Sequence, residues 1–378
     1  MRKQPKQSLT LFEERPVLER DKDAELKLRS ARMFWHMGYV CPMEVAISAR
    51  EIRQGVLRRY DLTDVDVVGV RFDADMTSRT IIADCKSTKA SPNSRVFWLR
   101  GVMDFFGAER GYLVQPAIGR EARELALRLS VSLVDLDNLI KYEADKQLDK
   151  LPLKAFSIEN YDKRRELWGL HLAKDQKPSP EQKKIADLYA YCSYTYWFNE
   201  DYRNVQQLLS AVSDASQSLN EFDDRPRAKV LAYTSLTLWS IALLKMCGAV
   251  IATKSDEVHN EVRRYIFGGA ANASERSKLM DLFGRLTKDR VALEPPYYDE
   301  LLELCARIIK FSSFGKDIPR YTDLITQENV IGGSHASIES LLGSAFSVDS
   351  LKLAKDVAAF ISRHAHVDIK LFSELMSQ

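Results

Sequence analysis

The chain divides by its pattern of apolar and polar positions. In residues 62–86, two short runs of Val and Ile (Val67-Val68-Gly69-Val70 and Ile81-Ile82) flank the polar stretch 73–78. Runs of this kind suit buried pleated strands, and the stretch between them predicts a β-hairpin. Upstream, Ala24, Leu28, Ala31 and Trp35 fall on one face of a helix over residues 23–37, with Gly38 as its stop. A strand follows around Val45-Ala46-Ile47. Downstream, the pattern predicts a helix over 95–106, a strand over 111–114, a helix over 119–129 and a strand over 131–134. The order αβββαβαβ points to an α/β (α+β) domain, a mixed sheet with helices on its faces.

From residue 136 to about 177 the pattern becomes charged and less periodic, and 174–184 is polar with Pro178 and Pro180. A boundary belongs there. Residues 181–378 show long helical periodicity and no hairpin, which predicts an all-helical half. The organisation expected is a polar arm (1–22), an α/β domain (23–145), a connecting segment (146–180) and a helical domain (181–378). The 378-residue length agrees with two domains.

Three stretches of the helical half carry a choice. Tyr189, Tyr191, Tyr194, Tyr196, Trp197, Phe198 and Tyr202 crowd together; such rings either stack on unpaired bases or fill a helix-packing core, and the core is the expected role. Residues 230–252 approach the length of a membrane span, but Ser235, Thr237, Ser240 and Lys245 would be costly in hydrocarbon, so a central bundle helix and no membrane are expected. The Gly332-Gly333 loop lacks the lysine and spacing of a P-loop and reads as an interhelical turn.

Charge and cysteine content narrow the classes. A formal net charge of +2 does not announce nucleic acid, so any nucleic-acid surface must be local. The five cysteines (41, 85, 192, 247, 305) form no zinc spacing and suit reduced, buried thiols in a cytoplasmic protein. No metal is assigned to the six scattered histidines. The N-terminal arm has no apolar core and is read as neither a signal nor a transit peptide; its Arg2, Lys3 and Lys6 either touch a phosphate backbone or are solvated.

The candidate chemistry sits where acids interrupt the hairpin, at Asp64, Asp66 and Asp84, with Lys86 two places after Asp84. Strand alternation puts Asp84 and Lys86 on one face and turns Cys85 into packing. Carboxylates from neighbouring strands form a hard-oxygen site suited to Mg²⁺ or Mn²⁺, and a lysine beside them can hold an attacking water.

At these residues the chain resembles the PD-(D/E)xK nucleases of the restriction-endonuclease-like fold, particularly the Mrr-type and Holliday-junction-resolvase-like branches, over about residues 23–140. Asp84-Cys85-Lys86 matches the D/E-x-K triplet, and Asp66, directly ahead of a hydrophobic run, matches the second-strand acid; Asp64 is the alternative. The resemblance implies a metal held by Asp66, Asp84 and the backbone carbonyl of Cys85, with Lys86 assisting catalysis and Glu25 of the first helix as a further acid. Where many relatives carry a glutamine in the next helix, this chain offers Arg95 and Arg100. These, with Lys89, either contact phosphate or are solvated or ion-paired. Arg58 and Arg59 are weighed in the same way, as holders of a duplex backbone or as part of a solvated helix or loop over residues 49–60.

The implied activity is divalent-metal-dependent endonuclease hydrolysis of nucleic acid, DNA favoured, in a setting such as antiphage defence. Homodimerisation or an ATPase or helicase partner would belong to the helical half. The alternative is a catalytically silent nucleic-acid-binding or scaffold subunit.

Overall fold

The computed structural model describes residues 21–53, 56–88, 91–151, 153–168, 179–222, 224–253, 257–269, 271–275, 278–279 and 294–378; the side chains of 48–61, 120–121 and 149 fall outside that description. The arm with Arg2, Lys3 and Lys6 therefore lies outside the described residues, as do Lys89 and the side chains of Arg58 and Arg59.

Helix α1 (Ala24–His36) is followed by strands β1 (Met43–Arg53), β2 (Val56–Phe72) and β3 (Ser78–Cys85). Helix α2 (Pro92–Phe106), strand β4 (Arg110–Gln115), helix α3 (Arg120–Arg128) and strand β5 (Val131–Asp135) complete the sheet, and helix α4 (Leu136–Asp145) leads out of it. The sheet runs in the order β1-β2-β3-β4-β5, antiparallel through β3 and parallel beyond it. Sequence and structure thus agree on a five-stranded mixed sheet in the predicted element order.

Local chemistry explains these elements. Helix α1 ends where Gly38 takes φ +90°, a left-handed conformation that costs glycine little and a side-chain-bearing residue more. In β2 and β3, Val67, Val68, Ile81 and Ile82 are fully buried, each contributing about 1.5–3 kcal/mol of apolar burial. One expectation fails at residues 49–60. Instead of a helix or loop, residues 49–53 finish β1 and 56–60 open β2, paired out to Arg53↔Val56. A long partner strand supplies their backbone hydrogen bonds, which their mixed polar composition does not reveal.

The turn between β2 and β3 also departs from its polar reading. At its tip Met76 has φ +62° and is fully buried. The helix Arg225–Ala252 passes so close that a Cβ at Gly248 would lie 2.4 Å from the Met76 carbonyl oxygen. A single connected apolar core therefore runs from the sheet into the helical half.

Between the two halves, helix α5 (Ile158–Trp168) packs on α1 and on the helix Arg225–Ala252. From helix α6 (Pro180–Ala190) onward, every regular element among the described residues is helical. The helix Arg225–Ala252 is long and apolar enough to cross a membrane, but 72% of its most apolar window is buried inside the protein. Its polar side chains have internal partners. Ser235 and Ser240 donate to the carbonyls of Leu231 and Leu236, Thr237 donates to Thr322 at 2.9 Å, and Lys245 donates to Asp201 at 2.7 Å. It is the core helix of a bundle, with Trp239 stacked on Phe360 at 5.1 Å.

The aromatic run is chiefly packing: Tyr191 and Tyr196 are buried and Tyr189 lies 4.9 Å from the Trp168 ring. Its helix, however, is interrupted by a π-helical turn, Tyr191–Thr195, which the pattern did not predict. In the Gly332-Gly333 loop, the N–H groups of Gly332 and Ser334 donate to the carbonyls of Gln327 and Glu328, as in an interhelical turn.

Candidate active site

Asp66 and Asp84 meet at the end of the β2–β3 ladder. Pairing of Val67 with Ala83 leaves Asp66 opposite Asp84, one position beyond the last pair. Both are almost completely buried, at 3% and 2% exposure. Lys86, on the same face as Asp84, places Nζ 3.6 Å from Asp66 Oδ2 and 3.6 Å from Asp84 Oδ1. Cys85 points the other way and packs against Ser30 of α1 with Sγ and Oγ 3.4 Å apart.

Each carboxylate has its own fixing contacts. Asp66 Oδ2 accepts from the Cys85 backbone N–H at 2.7 Å, which ties the two strand ends together. In an extended strand a residue's N–H and C=O leave by the same edge, so the Cys85 carbonyl faces the Asp66 side. Asp84 is gripped by Arg95 of α2, which donates to Oδ2 from Nε at 2.8 Å and to Oδ1 from its terminal nitrogen. Arg95 is itself stacked over Trp98, 4.0 Å from the ring centroid.

The side chain that enters this cluster from α1 is Lys27, whereas Glu25 pairs with Arg29 at 2.9 Å and is 66% exposed. Lys27 Nζ lies 3.3 Å from Asp66 Oδ1, 2.8 Å from Asp21 Oδ2 and 3.1 Å from Glu44 Oε1. The Tyr161 hydroxyl of α5 stands 2.5 Å from the same Asp21 oxygen and 2.6 Å from Glu44 Oε1, with one proton to donate between them. The helical connector is thereby joined to the centre through a partly buried charge network. Sequence reasoning missed Lys27, Asp21, Glu44 and Tyr161. A signal for Lys27 existed: it sits three residues after Ala24 and four before Ala31, on the apolar face of its helix.

The remaining candidates fall elsewhere. Asp64 is exposed and pairs through its backbone with Ala46. Arg100 donates to Asp104 at 2.6 Å, the ion-paired arrangement of a surface helix.

Electrostatics follow from this packing. Burial pushes the Asp66 carboxyl above its ordinary value, against the opposing pull of Lys27 and Lys86. For Lys86, burial works to lower the pKa, but Asp66 and Asp84 outweigh it and hold the ammonium charged. Lys27 is likewise raised, because Asp66, Glu44 and Asp21 overcome its desolvation.

Among the described residues, no three His, Cys, Asp or Glu side chains converge as a metal group. The donor set still suits a hard divalent ion: two carboxylates and a carbonyl edge supply only oxygen, and Mg²⁺ is commonly held by one or two carboxylates with water and phosphate completing its shell.

Searches against known protein families, curated proteins and solved structures returned no match to this chain.

Proposed function

We propose that this protein is a divalent-metal-dependent nuclease of the restriction-endonuclease-like fold, acting on nucleic acid and most naturally on DNA. One observation carries the reading: two buried aspartates on adjacent strand ends share Lys86 at 3.6 Å each. Burying two like charges together is costly unless cations accompany them, and this arrangement concentrates negative charge where a metal and a phosphodiester can meet. The element order αβββαβαβ around that centre gives further support.

Asp66 and Asp84 would hold Mg²⁺ or Mn²⁺, with the Cys85 carbonyl as a further oxygen ligand. The ion would supply Lewis-acid activation of water and charge neutralisation at the phosphate. Lys86 Nζ remains protonated, orients the nucleophilic water and offsets charge developing on the phosphate oxygens. Arg95 reaches the same carboxylate from the side of α2 and is positioned to exchange Asp84 for a substrate phosphate. Lys27 and the Cys85 N–H hold Asp66 in place. Five buried thiols fit a reducing, cytoplasmic setting, and defence against foreign DNA with an ATPase or helicase partner is the role this reading favours.

The second reading, a silent nucleic-acid-binding or scaffold subunit, is favoured by a different observation. Lys27 and the two-pronged Arg95 already occupy the carboxylates that a metal would need.

Cleavage of supercoiled plasmid, linear duplex, single-stranded DNA and RNA in Mg²⁺, Mn²⁺ or EDTA separates the readings, with Asp84→Ala and Lys86→Ala beside wild type. Metal-dependent cutting lost in both folded variants supports the nuclease. Binding without cutting, in every metal and with either variant, selects the silent subunit.

A further inference from the structure

A chamber of about 100 Å³ lies between the start of β1, α5 and the helix Arg225–Ala252. Neither Asp66 nor Asp84 lines it. Its wall includes Glu44, Arg164, Trp168, Ser193, Trp197 and Asp323. Glu44 also holds Lys27, so the chamber is two contacts away from Asp66.

Two π-helical turns border this space. Tyr191–Thr195 supplies Ser193, and Thr326–Ile331 supplies Gln327. Such turns are rare, forfeit regular α-helical bonding and occur frequently at functional sites. Polar groups on the wall, Ser193 in the first turn and Asp323 in the α-helix Ile318–Ile325, are under-used. The Ser193 hydroxyl is buried without a hydrogen-bond partner among the described residues. Asp323 is enclosed by protein yet keeps accessible surface, and the accessible space beside it is the chamber. Among the described residues its carboxylate accepts one long bond, of 3.4 Å from Gln327, with Arg164 as the nearby charge and Arg164 itself donating to the Met43 carbonyl.

A carboxylate so placed gains most from a ligand with N–H donors, because its one long bond leaves acceptor capacity open toward the chamber. The apolar part of the wall (Trp168, Trp197, Val230 and Leu238) suits a flat aromatic body. We propose that this chamber binds a small planar molecule presenting paired N–H groups to Asp323, of the amidine or amino-heterocycle class.

Benzamidine and guanosine, used separately, are the probes, with calorimetric titration and thermal shift on the full chain. Saturable binding of at least one probe is expected, weakened about tenfold or more in Asp323→Asn and several-fold in Ser193→Val. No saturable binding by either probe up to millimolar concentration, or equal binding to Asp323→Asn, overturns the proposal. Should Asp323→Asn not fold, Ser193→Val decides in the same way. Cleavage plays no part in this test, so its outcome is independent of the nuclease reading.

Discussion

Lys27 Nζ stands 3.3 Å from Asp66 Oδ1, inside the protein, with Asp21 and Glu44 on its other sides. Its side chain is only 8% exposed, so these carboxylates depend on a cation that water replaces poorly. Removing one partner of a buried pair leaves uncompensated charge. Lys27→Met should therefore cost roughly 3 kcal/mol of stability. Urea unfolding measures it, and a loss below about 1 kcal/mol would show that the network relaxes or admits water.

Acid should loosen the same network. Burial tends to raise the Asp21 carboxyl, but Lys27, Tyr161 and the Asp23 N–H outweigh it and hold it at about 2 against an ordinary 3.8. Glu44 is lowered too, its burial overcome by Lys27 and Tyr161. A carboxyl lowered on folding contributes stability that is complete above its unfolded value and is lost as pH falls through its folded one. Asp66, raised by burial, works in the opposite sense and softens the slope. Unfolding followed from pH 5 down to about pH 2 should show a steeper decline in wild type than in Asp21→Asn. Parallel declines would remove Asp21 from the account.

At the junction of sheet and bundle, Gly248→Ala should be destabilising by roughly 1–3 kcal/mol, since its Cβ would fall 2.4 Å from a backbone oxygen, that of Met76, which has little room to move. Gly101→Ala in α2 is the opposite case. Nothing lies within 4 Å of the added methyl, and the helix gains roughly 0.5–1 kcal/mol from the better helix former. Denaturant midpoints of the two variants should move in opposite directions; a shared direction would refute the packing argument.

On the proposed nuclease reading, Lys86→Met should reduce cleavage by roughly 10²–10³-fold while leaving substrate affinity within a few-fold, as expected for a charge used at the transition state. The check is kcat and KM measured separately in Mg²⁺. A rise in KM with kcat intact would reassign Lys86 to substrate binding.

Much of the sheet was legible in the sequence because its causes are local. Runs of Val and Ile, the apolar face of α1 and the stop at Gly38 act over a few residues, so they fix strands, helices and their order without reference to distant parts. Alternation likewise put Asp84 and Lys86 on one face and Cys85 on the other. The length of β1 and β2 was not legible, because residues 49–53 and 56–60 owe their conformation to each other as partner strands.

By itself the sequence determined a five-stranded mixed sheet followed by helices, with two acids and a lysine gathered at one hairpin. Tertiary structure decided what surrounds them. Lys27 displaces the expected Glu25, Arg95 closes on Asp84, Tyr161 brings the connector to the centre, and Met76 anchors a nominally polar turn inside the bundle. These contacts join residues 11 to 172 positions apart in the chain, as from Asp84 to Arg95 and from Met76 to Gly248. Periodicity records which face of an element is buried, whereas the partner buried against it is chosen only when the elements pack.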